Sequence, residues 1–155
     1  MNKLNTNIGL HGYFNLRHFR GSELLDEIRL HNTITNMGMD EVAGLINGAR
    51  TGAFTKIAIG TSGTAASATN TGLLTELAGG MARAAATCSQ ITTDVTNDTA
   101  RLVHTFTATA SYTIKEAGIF DTATSGGRIL ARGTFTGKAM SSGDTLTVTY
   151  DIDVD

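Results

Sequence analysis

The sequence predicts a mainly β fold, an antiparallel β-sandwich or jelly-roll-like domain with one short helix at about residues 37–47. Three observations lead to this prediction. Residues 146–154 alternate between apolar side chains and Thr or Asp, as a strand with one buried and one wet face requires. Less regular segments of the same kind recur between turns of Gly, Asn, Asp and Ser. Only residues 36–47 place apolar side chains three and four positions apart, which is typical of a helix.

The composition agrees with one β-rich domain. A chain of 155 residues can bury a core without disulfides, although large apolar residues are few, with six Phe, three Tyr and no Trp. The chain contains no proline, so its edge strands need another kind of protection. A neighbouring subunit that covers the edges would provide it, and we therefore expect a homo-oligomer.

The first third of the chain predicts an arm, a hairpin and the helix. Residues 1–11 are polar and without periodicity, which predicts a flexible arm before a single domain at 12–155. Residues 12–35 contain two alternating segments around a polar turn and predict a β-hairpin. Within 36–48 we expect a helix with Asn36 as its N-cap. Its buried face is predicted to consist of Met39, Val42, Leu45 and Ile46.

Residues 54–155 predict a β meander. A short strand at 54–60 precedes residues 61–70, a run of Ser, Thr, Ala and Gly that we expect to be an exposed loop. The segments at 82–95 and 100–111 are predicted to pair with each other. Later strands are predicted at 112–121, at 128–136 and in the closing segment.

Charge and hydropathy argue against two classes of partner. The net charge is −2 and the Lys and Arg residues are scattered, which predicts no nucleic-acid binding. No apolar run approaches about 18 residues, and the N-terminus lacks the order of a secretory signal, so we expect no membrane partner and synthesis in the cytoplasm. The single cysteine, Cys88, excludes an internal disulfide framework and is expected to be a small buried thiol.

No group of residues predicts catalysis or a bound cofactor. The four histidines lack the spacing of metal ligands, and no Gly-x-Ser-x-Gly motif is present. Residues 60–64, Gly-Thr-Ser-Gly-Thr, lack the Gly-Lys-Ser/Thr ending of a phosphate loop. We therefore expect a protein that is not an enzyme and holds no cofactor or metal.

The closing segment carries three carboxylates on one face, Asp151, Asp153 and Asp155. Neighbouring members lie about 6.8 Å apart along a strand, which does not by itself converge on one calcium ion. We expect them to face solvent or a neighbouring subunit, with a cation at a symmetry axis as the alternative.

Six phrases of the sequence resemble small structural proteins of tailed-bacteriophage virions, of the head-decoration (cement) or tail-fibre-like kind. They cover much of residues 28–152. In chain order they are HNTITNMG (31–38), IAIGT (57–61), ARAAAT (82–87), EAGIFD (116–121), ILAR (129–132) and GDTLTV (143–148).

This resemblance implies a non-enzymatic capsid decoration protein that binds and stabilises the major capsid lattice. The alternatives are a tail component (fibre, tip or baseplate) and a receptor- or carbohydrate-binding module. The implied partners are the major capsid protein or other virion proteins and further copies of the chain, with a trimer favoured. The implied location is the virion, assembled in the host cytoplasm. The candidate subunit or capsid contacts are Asn2, Lys3, Leu4, Ile8, Leu10, Ser62, Thr64, Asp151 and Asp153.

Overall fold

The computed structural model describes residues 9–155 and confirms the mainly β fold, with two antiparallel five-stranded sheets arranged as a sandwich. Sheet A contains, in spatial order, β2 (Glu23–His31), β1 (Leu10–Arg20), β10 (Thr145–Val154), β7 (Thr99–Thr107) and β6 (Thr87–Ile91). Sheet B contains β3 (Thr33–Ile34), β9 (Ile129–Met140), β8 (Tyr112–Phe120), β4 (Lys56–Gly60) and β5 (Ala84–Ala85). A helix, α1 (Asn36–Ile46), and a 3-10 turn, Gly79–Met81, complete the described elements.

The closing strand β10 lies at the centre of sheet A, between β1 and β7. Its alternating pattern is confirmed, because Leu146, Val148, Tyr150 and Ile152 are buried while the Thr and Asp residues between them are half-buried on the other face. The inward side chains of β1, Phe14 and Leu16, are fully buried beside them. The strand β10 therefore contributes the central row of buried side chains on the inner face of sheet A.

The strand β1 begins inside the predicted arm. Leu10 pairs with Val154 and His11 pairs with Asp153, so both residues belong to sheet A. The strands β1 and β2 form the N-terminal hairpin, with a β-bulge between His18 and Phe19. Residues 1–8 of the predicted arm lie outside the described residues.

Several connections pass between the two sheets, where the sequence predicts continuous strands or a single meander. The second hairpin strand ends at His31, and Thr33 already belongs to sheet B. The segment 82–95 divides at Ala86, with β5 in sheet B and β6 in sheet A. The steps from β7 to β8 and from β9 to β10 also change sheets. A corner of a sandwich needs only one or two residues, which leaves little trace in the apolar pattern.

Cys88 is exposed, so its expected burial is wrong. The thiol lies on β6, which is an edge strand of sheet A and has a partner, β7, on one side only. Residues of an edge strand are shielded from solvent less completely than those at the centre of a sheet.

The outer face of sheet B is covered by α1 and by the segment that follows β4. Ala58, Phe120 and Ile129 form a small apolar cluster there, and Met37 and Leu73 pack against it. Glycine makes this close approach possible, since a Cβ atom on Gly118 would lie 2.8 Å from a methyl carbon of Leu73. The molecule thus has a third, partial layer on one side.

The helix begins with Thr35 as its N-cap, one residue before the expected Asn36. The Gly38 amide donates to Thr35 Oγ1 at 2.9 Å, and this hydroxyl donates to the Ile129 carbonyl at 2.6 Å. The fully buried Thr35 therefore caps the helix and joins it to β9 at once.

The predicted buried face of the helix is only partly correct. Val42 and Leu45 are half-buried, and Val42 packs against the main core. Met39 and Ile46 are 52% and 84% exposed, whereas Gly38 and Glu41 are buried. The helix turns its glycine towards β9 because only a residue without a side chain fits there: a Cβ atom at position 38 would lie 2.5 Å from the Leu130 carbonyl oxygen.

Replacing Gly38 with Ala should lower the free energy of unfolding by about 2 kcal/mol, because α1 must move away from the β9 backbone. Gly52→Ala is the control, because a Cβ atom at position 52 would lie no closer than 3.6 Å to the nearest atom, Asp121 Oδ2, which is an ordinary van der Waals contact. Alanine at a glycine position without strain changes the free energy of unfolding by at most about 1 kcal/mol. Urea denaturation of both variants gives the comparison. Equal effects would contradict the close approach at Gly38.

Candidate functional site

A fully buried ion pair lies on the outer side of sheet B. Glu116 of β8 and Arg132 of β9 have no solvent-exposed surface. Arg132 Nε donates to Glu116 Oε2 at 2.8 Å, and Arg132 Nη2 lies 2.8 Å from the same oxygen. A buried pair of charges is stable only if further hydrogen bonds replace the lost water. The remaining donors and acceptors of both side chains therefore need partners within the chain.

The segment at residues 61–75, the platform loop, supplies these partners. Arg132 donates to two backbone carbonyls, Thr64 at 2.9 Å and Ala65 at 3.2 Å, and to the side-chain oxygen of Asn70 at 3.1 Å. The Glu116 carboxylate accepts from three backbone amides of the loop. These are the amides of Thr75 (2.8 Å), Leu74 (3.1 Å) and Ser62 (3.3 Å).

The backbone of the platform loop is therefore held by hydrogen bonds, while many of its side chains face solvent. Gly63, Thr64, Ala65, Ser67 and Thr69 are exposed, as expected for this run of small polar residues. The backbone beneath them is tied to two charged groups that do not move independently of the sheet. The loop presents small side chains in a fixed arrangement.

Three of the six phage-like phrases meet at this loop in addition to the two that carry the ion pair. Gly60 ends β4 where a Cβ atom would lie 2.4 Å from the Thr75 carbonyl oxygen and 2.5 Å from Glu116 Oε1. The Asn36 amide donates to the Ala68 carbonyl at 2.8 Å and joins the start of α1 to the loop. Arg83 forms an ion pair with Glu76, the residue that directly follows the loop. These phrases thus contribute neighbouring parts of one structure.

Arg83 makes a second clamp beside the platform loop. Its guanidinium donates to both Glu76 oxygens, at 3.0 and 2.8 Å, and lies 3.4 Å from the centroid of the Phe120 ring. The same group donates to the carbonyls of Thr122 and Thr124, at 3.1 and 2.9 Å. One side chain therefore connects the segment before β5 with the loop after β8.

The sixth phrase contributes Asp144, a carboxylate buried at the end of sheet A. It accepts from Arg20 Nε and Nη2, both at 2.9 Å, from the Ser141 amide at 2.9 Å, and lies 3.0 Å from His18 Nε2. The hydrogen bonds from Arg20, followed by the one from Ser141, hold the pKa of the Asp144 carboxyl well below its usual value. This carboxylate fixes the turn between β9 and β10 against β1.

The turn between β6 and β7 depends on a carboxylate in a similar way. Asp98 accepts from the backbone amides of Val95 (2.6 Å), Thr93 (2.8 Å) and Asp94 (2.8 Å). These amides, with the largest contribution from Val95, lower the pKa of Asp98 to about 2. The charged residues at this end of sheet A are therefore used in loop structure.

The Asp residues of β10 have partners in their own chain. Asp151 accepts two hydrogen bonds from Arg101, both at 2.7 Å, and Asp153 accepts from the Thr99 hydroxyl at 3.2 Å. Asp155 lies 3.0 Å from His11 Nε2. Oxygen atoms of Asp94, Asp153 and Asp155 approach within 4.8 Å of one another, but the group is solvent-accessible and two of its members already have protein partners.

The candidate contact residues occupy different regions. Leu10 is half-buried and packs against the main core, which limits its contact with another molecule. Ser62 and Thr64 lie together on the platform loop, whereas Asp151 and Asp153 lie on the outer face of sheet A. The other four, Asn2, Lys3, Leu4 and Ile8, lie outside the described residues. A contact role for any of them stays a prediction.

The two residues that anchor the loop, Glu116 of β8 and Arg132 of β9, are not predicted as functional from the sequence. A signal was present, because each charge lies next to a short apolar run, in EAGIF and ILAR. A charge in such a position requires a buried partner. Which partner it has depends on strand register, which the sequence pattern does not determine.

Comparisons of the chain with protein-family models, with curated proteins and with solved structures find no match. Among the described residues, none of the helices combines the length and hydropathy needed to cross a bilayer.

Replacing Glu116 with Gln should lower the free energy of unfolding by about 3 kcal/mol or more, because the charge of Arg132 stays buried without a counter-charge. Asp151→Asn is the matched control, since it removes an equivalent charge from the partly exposed pair with Arg101 and should cost at most about 1 kcal/mol. Both values come from urea denaturation. Hydrogen exchange at the Thr75 and Leu74 amides should become faster only in the Glu116 variant, and similar losses in the two variants would contradict the role of the buried pair.

Stability should fall in acid, partly through Asp144. Its pKa is lower in the folded than in the unfolded chain, so the unfolded chain binds the extra proton first as the pH falls below about 4. The stabilisation is complete above that pH and decreases below it. In Asp144→Asn, the melting temperature should therefore change less between neutral pH and acid than in the unchanged protein. Parallel pH profiles would show that Asp144 does not contribute to the acid sensitivity.

Proposed function

We propose that the protein is a non-enzymatic structural component of a tailed-phage virion, and specifically a capsid decoration (cement) protein that stabilises the major capsid lattice. The observation that supports this most directly is the platform loop. The charged residues of the phage-like phrases are used to fix a loop of small polar side chains on a β-sandwich. Such an arrangement suits display towards a partner.

The construction of the loop favours contact with a large preassembled surface. Binding is weakened when a loop must be ordered at the moment of contact, and the platform loop is already held at both ends by Glu116 and Arg132. Its short Ser, Thr and Ala side chains lose little rotamer freedom on binding. The loop can therefore follow the shape of a capsid surface at small entropic cost.

The proposal includes two further contacts. Residues 1–8 precede β1, whose start is paired with β10, so they are attached to the rigid part of the molecule. We place the arm contact with the major capsid protein in these residues, with Asn2, Lys3, Leu4 and Ile8 as candidates. The protein is expected to act as a homo-oligomer, with a trimer favoured by the resemblance, in virions assembled in the host cytoplasm.

A binding module is the second candidate function, and one observation favours it. The outer face of sheet A carries an open polar groove of about 450 Å³. Arg29 lies over the ring of Tyr13 there, with 4.6 Å between the guanidinium carbon and the ring centroid. An aromatic ring with neighbouring hydrogen-bond donors could receive a polar ligand such as a sugar. The groove also contains Asn15, Arg17, Glu27, Ile91, Thr93, Arg101, Thr149 and Asp151.

The capsid proposal predicts that a large charged side chain on the platform loop blocks binding. In Thr64→Arg, the number of copies that co-sediment with phage capsids lacking this protein should fall at least about tenfold, because the new side chain occupies the contact. Ser22→Arg, in the exposed turn between β1 and β2, is the matched control and should bind normally. A chain without residues 1–8 should bind more weakly and keep its melting temperature.

The unchanged protein separates the possible functions in the same assay. Binding to capsids supports the proposal, and binding to isolated tails alone would replace it with a tail role. Binding to neither particle, together with a positive glycan array that Tyr13→Ala abolishes, would favour the module. Normal capsid binding by both Thr64→Arg and the truncated chain would exclude both proposed contacts.

A further inference from the structure

The outermost strand of sheet A, β2, has a long free edge. It comprises nine residues, whereas the other outer strands of the described sheets, β6, β3 and β5, have five, two and two. Most of β2 is exposed, and it contains no proline that would block pairing. Unpaired N–H and C=O groups on an edge of this length can pair with another strand.

The pairing with β1 shows which residues direct their backbone groups towards this edge. The Asn32 amide donates to the Gly12 carbonyl at 3.4 Å, so Gly12 and Asn32 form a hydrogen-bonded pair. Hydrogen-bonded and non-hydrogen-bonded pairs alternate along antiparallel strands. The register therefore directs the N–H and C=O groups of Glu27, Arg29 and His31 away from β1.

Two of these three residues have opposite charges. Glu27 and Arg29 lie on the outer face of sheet A, on either side of Ile28. Within the described residues, Arg29 has no carboxylate at ion-pair distance, and its guanidinium lies over Tyr13 instead. The Glu27 carboxylate is 43% exposed, accepts from Asn15 and lies 3.7 Å from Arg17 Nε. Both contacts use Glu27 Oε1, so Oε2 can accept from a further donor.

We propose that β2 pairs antiparallel with β2 of a second copy of this chain, about a two-fold axis at Ile28. This register places Glu27 opposite Arg29 of the second copy, and the two-fold axis repeats the pair. The same residues carry the outward backbone groups, so the charge pairs coincide with the hydrogen-bonded pairs. An axis at Glu27 or at Arg29 would instead place like charges opposite each other. Among axes at Glu27, Ile28 and Arg29, backbone geometry and charge therefore favour the one at Ile28.

The residues at the axis agree with this arrangement. The half-buried Ile28 meets Ile28 of the second copy in a non-hydrogen-bonded pair, where side chains come closest. The result is a continuous ten-stranded sheet in which the long free edge of β2 is covered. The inference does not depend on the proposed capsid role, because it concerns contact between copies of the chain alone. It makes the homo-oligomer a two-fold dimer in place of the trimer that the resemblance favours.

Charge exchange at these two positions tests the proposal. Arg29→Glu alone and Glu27→Arg alone each replace both attractive pairs with repulsive ones, and should raise the dimer dissociation constant about tenfold or more in analytical ultracentrifugation. A mixture of these two variants should form heterodimers, and the double variant Glu27→Arg/Arg29→Glu should form homodimers again. Both outcomes restore opposite charges across the axis. Circular dichroism of each variant excludes unfolding as the cause.

Cross-linking tests the register. In a Cys88→Ser background, Ile28→Cys should form an intermolecular disulfide, because paired Cα atoms at the axis lie about 4.5 Å apart. Leu30→Cys is the control on the same strand and face, and should not cross-link, since it lies opposite Asp26 of the second copy. A monomer at all concentrations would overturn the proposal. A trimer would overturn it as well, and so would a dimer whose dissociation constant the charge variants leave unchanged.

Discussion

The ion pair between Glu116 and Arg132 is the interaction on which the outer layer of the molecule depends. Neither charge can be buried on the side of sheet B without the hydrogen bonds that the platform loop provides. The loop, in turn, has few apolar side chains and could not hold its shape by packing. Each part therefore makes the other possible, and the two charges come from the segments EAGIFD and ILAR.

The two faces of the sandwich differ as a result. Sheet B is closed on its outer side by α1 and the platform loop, which approach its backbone at the side-chain-free positions Gly38, Gly60 and Gly118. Sheet A keeps its outer face open, with Arg and Asp side chains paired across its strands and a polar groove between them. One side of the molecule presents a rigid loop, and the other presents a free strand edge and a groove. Two different contacts are thus possible at the same time.

Much of the fold could be predicted from the sequence, because alternation reports burial directly. The closing strand, the N-terminal hairpin and the existence of one helix follow from periodicity. The points at which the chain passes from one sheet to the other, Asn32 and Ala86, do not follow from periodicity. A corner of one residue leaves the apolar pattern intact. The helix face was only partly predicted. Val42 packs against the core as expected, but the buried residues of the helix are Gly38 and Glu41, which the apolar pattern does not indicate. The exposed loop at 61–70 was predicted, but the order of its backbone was not, because that order comes from charges on distant strands.

The central place of β10 also determines when the molecule can fold. Leu10 pairs with Val154, so the contacts of β1 join residues at opposite ends of the described chain. Contacts of such wide sequence separation form slowly. A ribosome adds about 5–20 residues per second, so the hairpin of β1 and β2 waits on the order of ten seconds before its neighbour is synthesised. During that interval sheet A is incomplete, and chaperones can bind its apolar strands before the sandwich closes.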